Sequence, residues 1–140
     1  MAYCTQADLL NQITEAEMIQ LTDDAGAGVI DSVKVDAALN AASATIDAYS
    51  GARYALPLQP SEKVKQLCID LAIYELEKRR RRIREATLAA RDAALAFLRD
   101  LALGRAVLDQ PSGAQPQATE ADVKKTEQER VFSDDNLEGF

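Results

Sequence analysis

Two prolines divide an otherwise helical pattern into separate helices. Residues 32–50 and 61–80 both place apolar side chains three or four positions apart, which is the spacing of one face of an α-helix. Between them, Pro57 and Pro60 exclude a continuous helix, because proline lacks an amide hydrogen and clashes with the preceding turn. The residue before each proline is also driven towards extended geometry. We therefore predict two long core helices joined by a short extended connector.

Capping signals place the helix starts. Thr5 and Thr14 are each followed three residues later by an acidic residue, a pattern in which side chain and backbone bond reciprocally at a helix N-terminus. Asp31 or Ser32 can cap the first long helix, and Ser61 can cap the second. These signals predict two short helices ahead of the two long ones.

A last helix is predicted after residue 83, with Gly104 as its stop. Its apolar stripe is expected to comprise Leu88, Arg91, Leu95, Leu98 and Leu101 or Ala102. Alanine and leucine dominate the chain and aromatic residues make up only 5% of it, a composition that suits packed helices. We predict an all-α fold, a small helical bundle of about four to five helices over residues 1–110, with an extended C-terminal tail over residues 111–140.

The tail differs in character from the rest of the chain. Residues 111–140 contain three Lys or Arg against seven Asp or Glu, so they hold more than half of the net charge of -7. Burial of so few apolar groups cannot offset an ordering cost of roughly 1–2 kcal/mol per residue. The closing "RVFSDDNLEGF" nevertheless regains apolar side chains. We interpret the tail as a docking peptide whose candidate contacts are Arg130, Phe132, Leu137 and Phe140.

The stretch "TDDAGAGVID" resembles an EF-hand loop that has lost its ligands. Counted from Asp23, the sixth residue is Gly28 and the ninth is Asp31, as such a loop requires. The third and fifth positions are alanines, and Lys34 occupies the position of the bidentate glutamate. We therefore predict a turn that ends in a helix cap, and no metal site.

Composition also argues against catalysis. Histidine is absent, which removes the commonest general base and metal ligand. Cys4 and Cys68 make no metal-ligand spacing; Cys68 is expected in the core and both thiols are expected to be reduced. The carboxylate pairs that helical segments bring near one another are interpreted as exposed charges; they are Glu75 with Glu77 and Asp92 with Asp100. We expect no enzyme, no cofactor, no secretory signal and no membrane span.

The run "KRRRRIR", from Lys78 to Arg84, is the sharpest charge feature. It could contact DNA phosphates, neutralise a helix C-terminus and acidic residues of neighbouring subunits, or form a solvated helix–helix junction. No interleaved aromatic residues or groove-reading helix accompany it, so contact with an acidic protein face is favoured over DNA sequence readout. The candidate contacts are Arg79, Arg80, Arg81 and Arg82.

The segment "GARYALPL" lies between the two long helices and leaves two interpretations open. It is a stiff connector only, or its Arg53 and Tyr54, with Pro57, hold a neighbouring subunit or partner. The second interpretation is supported by the fact that exposed Arg and Tyr side chains are common anchors of protein interfaces.

Several of these stretches together resemble a family of Mu-like prophage proteins. They are "MAYCTQADLL", "IQLTD" with the following glycine loop, "IDAYSGARYALPL" and the closing "RVFSDDNLEGF". The likeness covers residues 1–110 as well as the C-terminal signature, and "GARYALPL" is its most specific piece. The family is similar to the head–tail connector, or head-completion, proteins of tailed phages.

This resemblance implies a structural role. Such adaptors form rings, commonly dodecameric, that sit beneath the portal protein, extend the DNA channel and contact the neck or tail-completion protein. The partners implied are therefore the portal, the next neck component, further copies of this chain and passing DNA without sequence readout. The location implied is the virion neck, after assembly in the host cytoplasm. The alternative is a cytoplasmic DNA-binding regulator that uses Lys78–Arg84.

Overall fold

The computed structural model describes residues 2–110 and confirms the all-α prediction. Within that range the chain forms five helices and no strand. They are α1 (Gln6–Leu10), α2 (Glu15–Thr22), α3 (Ser32–Ser50), α4 (Glu62–Arg79) and α5 (Glu85–Ala102). The predicted docking tail, 111–140, lies outside the described residues.

The predicted caps start four of the five helices. Thr5 and Thr14 each form a complete capping box, with Asp8 and Glu17 as the respective acidic partners. Asp31 caps α3 by accepting a hydrogen bond from the Val33 amide at 3.1 Å, and the Ser61 hydroxyl caps α4. Each such cap stabilises its helix by about 1 kcal/mol, which explains why local sequence was sufficient to place these starts.

The three long helices pack as an antiparallel bundle. The Ser43 hydroxyl on α3 lies 3.7 Å from the Cys68 sulfur on α4. On the other side of α4, Lys63 lies over the Phe97 ring of α5 near one end, and Arg91 of α5 lies over the Tyr74 ring nearer the other. The bundle therefore has two ends. The basic end combines the loop before α3 with the α4–α5 junction, and the connector end combines residues 51–60 with residues 103–110.

The core lies where α3, α4 and α5 meet, and α1 and α2 cover its open side. The largest fully buried side chains include Leu9, Met18, Val35, Ile46, Val64, Leu67, Leu76, Leu98 and Leu101. None of the five described helices is long and apolar enough to cross a lipid bilayer.

The predicted stripe of α5 was wrong at Leu88, which is 42% exposed. The buried face instead begins at Thr87 and continues through Ala94, Leu98 and Leu101. Leu95 marks the edge of this face, and an ideal helix drifts by about 20° per heptad. Leu88, one heptad before Leu95, consequently falls outside the contact with α4.

Candidate interaction surface at the basic end

The basic run forms the junction between α4 and α5, as one of its three interpretations proposed. Lys78 and Arg79 occupy the last turn of α4, where a positive charge complements the helix dipole. Arg80 is the C-cap, and Arg81 adopts a left-handed conformation with φ of 56°. Arg84 then precedes α5 as its N-cap residue. Seven residues thus reverse the chain and place five arginines at one end of the bundle.

Arg79 and Arg80 hold the glycine loop of the same chain. The Arg79 guanidinium donates to the Leu21 carbonyl at 3.1 Å and to the Asp24 carboxylate. Arg80 donates to the Asp23 carbonyl at 2.9 Å and pairs with Asp24 at 3.1 Å. The acidic partners of these two arginines are therefore in the same chain rather than in a neighbouring subunit.

The loop acids are occupied by protein groups. Lys34 pairs with Asp24 at 2.7 Å and with Asp31 at 3.0 Å. The Asp23 carboxylate accepts hydrogen bonds from the backbone amides of Ala27 and Gly28, at 3.0 and 2.7 Å. The loop thus turns the chain and ends in the α3 cap, as predicted. Among residues 2–110 no group of three or more Cys, Asp or Glu side chains is arranged to hold a metal ion.

The ion pairs at Asp24 predict an acid-sensitive contribution to stability. Hydrogen bonds from Lys34, and then from Arg79, lower the pKa of Asp24 from 3.8 to about 2. A pKa that is lower in the folded state stabilises the fold above the unfolded value, and this contribution is lost as pH falls from 3.8 towards 2. We expect Asp24→Asn to unfold at lower urea than wild type at neutral pH, and the two midpoints to converge across that window.

The matched control for this experiment is Asp36→Asn, because Asp36 is an exposed carboxylate on α3. Its midpoint should follow the wild-type curve at every pH. A constant offset between Asp24→Asn and wild type down to pH values near 2 would show that the Asp24 carboxylate is not the titrating group.

Arg84 is held by two glutamates, and one of them corrects a prediction. Glu77 was expected to be an exposed helix charge, but it is only 2% exposed. Its carboxylate accepts hydrogen bonds from the backbone amide and from Nε of Arg84, at 2.9 and 2.6 Å. Arg84 also reaches Glu17 on α2 at 2.8 Å. Glu77 is buried because the chain reversal brings the backbone amide and the guanidinium of Arg84 directly onto it.

Arg81 and Arg82 differ from the other three arginines of the run. Both are exposed, and in the described part of the chain neither pairs with an acidic side chain. Ile83 beside them is 40% exposed. A left-handed residue other than glycine costs on the order of 1 kcal/mol, and such cost is concentrated at functional sites. The tip formed by Arg81, Arg82 and Ile83 is therefore the part of the run that is free to bind a partner.

This arrangement does not favour the DNA-binding alternative. Lys78 pairs with Glu75 at 3.4 Å, Arg79 and Arg80 share the Asp24 carboxylate, and Arg84 pairs with Glu17 and Glu77. Phosphate binding needs a basic face with several uncompensated cations. In the described part of the chain, Arg81 and Arg82 are the arginines of the run that form no ion pair, and these two do not provide such a face.

The connector end contains the second set of predicted contact residues. Tyr54, a candidate contact in one of the two interpretations left open for this segment, is only 4% exposed. Its hydroxyl accepts a hydrogen bond from the Leu108 amide at 3.0 Å. At this residue the segment is a structural connector, because Tyr54 packs against the chain that leaves α5. Arg53 is partly exposed and Pro57 is exposed, so both are accessible to a partner.

Gly104 is required where α5 ends. Its φ is +76°, and a Cβ added there would collide with the Arg53 guanidinium. The close approach lets residues 105–110 fold back along the connector, where the Gln59 amide donates to the Gln110 side chain at 2.9 Å. The tail therefore begins beside the connector, at the end of the bundle opposite Arg81 and Arg82. The tail residues Arg130, Phe132, Leu137 and Phe140 lie outside the described range.

Two pairs of exposed valine and leucine side chains were missed by the sequence reasoning. At the connector end, Leu103 and Val107 are 65% and 68% exposed. At the basic end, Val29 and Val33 are 61% and 75% exposed. For the first pair, the sequence does contain a signal, because the apolar stretch "LALGRAVL" continues past the predicted helix stop at Gly104. Beyond that stop, helical periodicity no longer predicts which side chains are buried.

Comparison with known proteins identifies relatives among Mu-like phages. Residues 3–126 match the family model described as "Bacteriophage Mu, Gp36". The Mu-like prophage FluMu protein gp36 of Haemophilus influenzae is 38% identical over 79 residues. That alignment covers 56% of this chain and 56% of the relative, so the chain spans little more than half the length of the curated relative that it matches.

Proposed function

The chain belongs to the bacteriophage Mu Gp36 family, and from this premise we propose that it is a structural head–tail connector subunit of a tailed phage. In this proposal several copies form a ring, a dodecamer by resemblance, between the portal and the neck or tail-completion protein. The inner face of the ring lines the DNA channel without reading sequence. The chain acts by binding rather than by catalysis.

The observation that carries the proposal is the presence of two different exposed surfaces at opposite ends of one subunit. The basic end presents Arg81, Arg82 and Ile83, and the connector end presents Leu103, Val107 and the start of an acidic tail. A ring needs a heterologous interface, in which one surface of a subunit meets a different surface of the next. A subunit with complementary ends meets that requirement.

The charges of the two ends support the same assembly. The tail contains seven acidic residues against three basic ones. In the proposed ring, the tail of one copy reaches the exposed arginines of the next. Exposed ion pairs contribute only about 0–1 kcal/mol each, so they would not hold the interface alone. In the proposed interface, the apolar side chains near the end of the tail, among them Phe132 and Phe140, add the burial of apolar surface. The net charge of -7 also suits a channel through which DNA slides without adhering.

The proposal is tested by reversing the charge of the exposed tip. The double substitution Arg81→Glu with Arg82→Glu should lower ring formation on portal-bearing capsids at least about tenfold, because like charges would then face the acidic partner. Ring occupancy is counted by electron microscopy of purified particles. Wild-type assembly should also weaken as salt is raised.

The matched control replaces both arginines by lysine. It keeps the charge and the left-handed position of residue 81, so ring formation should stay close to wild type. Circular dichroism should show all three proteins folded, since both side chains are exposed. If the glutamate variant reached wild-type ring occupancy, the basic tip would not be part of the interface.

A further inference from the structure

The chain has two cysteines, and the fold brings them together. Cys4 and Cys68 are 64 residues apart in sequence, yet their sulfur atoms lie 2.6 Å apart as free thiols. Both are buried, with 4% and 0% of their surfaces exposed. A disulfide bond joins sulfurs about 2.05 Å apart. The pair is therefore placed side by side, as formation of a disulfide requires.

The segment that holds Cys4 is fixed across three other elements. The Tyr3 amide donates to the Ser43 hydroxyl of α3 at 3.0 Å. The Tyr3 hydroxyl donates to the Asp47 carboxylate of α3 and accepts from the Leu58 amide of the connector at 3.1 Å. Cys4 itself meets α4 through Cys68. The two sulfurs are thus held in register by the contacts of the neighbouring Tyr3.

The surroundings favour a reactive sulfur at Cys68. A hydrogen bond donated by the Cys4 thiol and, less strongly, one from the Ser43 hydroxyl lower the pKa of Cys68 to about 7, against the opposing effect of burial. The pKa of Cys4 is raised by the same hydrogen bond and by burial. Because the thiolate is the nucleophile, Cys68 is the sulfur that attacks the oxidant when local opening of the fold admits it, and Cys4 is the resolving thiol.

We propose that Cys4 and Cys68 are a reversible oxidation site, at which hydrogen peroxide closes an intramolecular disulfide between the N-terminal segment and α4. The proposal goes beyond the connector function and is independent of it, since it concerns bonds within a single chain. The cross-link ties together α3, α4 and the connector through the segment that already touches all three.

The chemistry balances with peroxide as the sole oxidant. The Cys68 thiolate attacks one oxygen of hydrogen peroxide, an S–O bond forms, the O–O bond breaks, and hydroxide leaves and takes up a proton as water. The Cys4 sulfur then attacks the sulfenic sulfur of Cys68 and loses its proton. An S–S bond forms, the S–O bond breaks, and a second water leaves. Two thiols and one peroxide give one disulfide and two waters.

The test treats the reduced full-length chain with hydrogen peroxide under native conditions. Intact mass should fall by two hydrogens, alkylation should find no free thiol, and a non-reducing digest should contain the peptide pair that holds Cys4 and Cys68. Because the cross-link closes a long loop, the melting temperature should rise by about 5 °C or more and should return to its starting value with dithiothreitol.

The control variant is Cys4→Ser, which keeps a hydrogen-bonding group beside Cys68. It should show no rise in melting temperature, and Cys68 should proceed to sulfinic acid. If this variant does not fold, the wild-type chain alone decides the matter by mass. Two alkylatable thiols after peroxide treatment, a disulfide-linked dimer, or sulfinic acid in the wild-type chain without the Cys4–Cys68 peptide pair would each overturn the proposal.

Discussion

A chain that ends at residue 110 is expected to fold as the full-length chain does and to fail to form rings. Residues 1–110 contain all the contacts that close the connector end. The Leu108 amide donates to the Tyr54 hydroxyl, and the Gln59 amide donates to the Gln110 side chain. We expect a melting temperature within about 2 °C of wild type. Ring occupancy on portal-bearing capsids should fall at least about tenfold, since the tail supplies the acidic and apolar contacts of the proposed interface.

The matched control for this truncation is a chain that ends at residue 106. It also removes Leu108, which is 4% exposed, and exposing such a side chain costs about 1.5–3 kcal/mol. This shorter chain should be clearly less stable, whereas the chain of residues 1–110 should not. Wild-type ring occupancy by the chain of residues 1–110 would count against the docking tail.

Among the charged side chains of residues 2–110, the largest effect of a single substitution on stability is expected at Glu77. Glu77→Ala should lower the free energy of unfolding by about 2–3 kcal/mol, because it deletes the buried acceptor of both the Arg84 amide and its guanidinium. Loss of a fully buried ion pair costs about 3–5 kcal/mol. The value here is lower, since the Arg84 side chain is 54% exposed and water can solvate it. Urea unfolding followed by circular dichroism measures the change.

Comparison with Glu75→Ala shows how much of the effect on stability is due to the burial of Glu77. Glu75 lies two residues earlier on the same helix and pairs with Lys78 at 3.4 Å, but its side chain is 32% exposed. Its replacement should cost about 0.5 kcal/mol or less. Equal effects of the two substitutions would mean that Glu77 acts as an ordinary surface charge, contrary to the geometry of the junction.

The sequence predicted those parts of the fold that depend on neighbouring residues. The capping boxes at Thr5 and Thr14 involve groups three positions apart, and so does the Ser61 cap, so their geometry follows from the local chain. The prolines at 57 and 60 act on their own backbone and correctly separated α3 from α4. Each of these predictions needed no knowledge of how the helices pack.

The parts that could not be predicted depend on contacts between distant residues. Glu77 is buried only because Arg84 turns back onto it. The exposure of Tyr54 could not be judged without knowing that Leu108 returns to the connector. The basic run was recognised, but its division into paired arginines and an exposed tip is set by Asp24, 55 residues from Arg79. The proximity of Cys4 to Cys68 likewise has no local signal.

The exposed tip is the part of the basic run to which the predicted contact with an acidic protein face still applies. Among residues 2–110, Arg81 and Arg82 are the arginines of the run that form no ion pair. In the proposed ring, they and the tail would join each subunit to further copies of the same chain. The family assignment places that subunit among Mu-like phage proteins.

Electron microscopy of the neck in purified particles, with its rotational symmetry determined, tests the connector assignment most directly. The account predicts a closed ring of this chain between the portal and the next neck component, with Arg81 and Arg82 of each copy against an adjacent subunit. Mature particles that lack the chain, or that carry it at a site away from the portal, would contradict it.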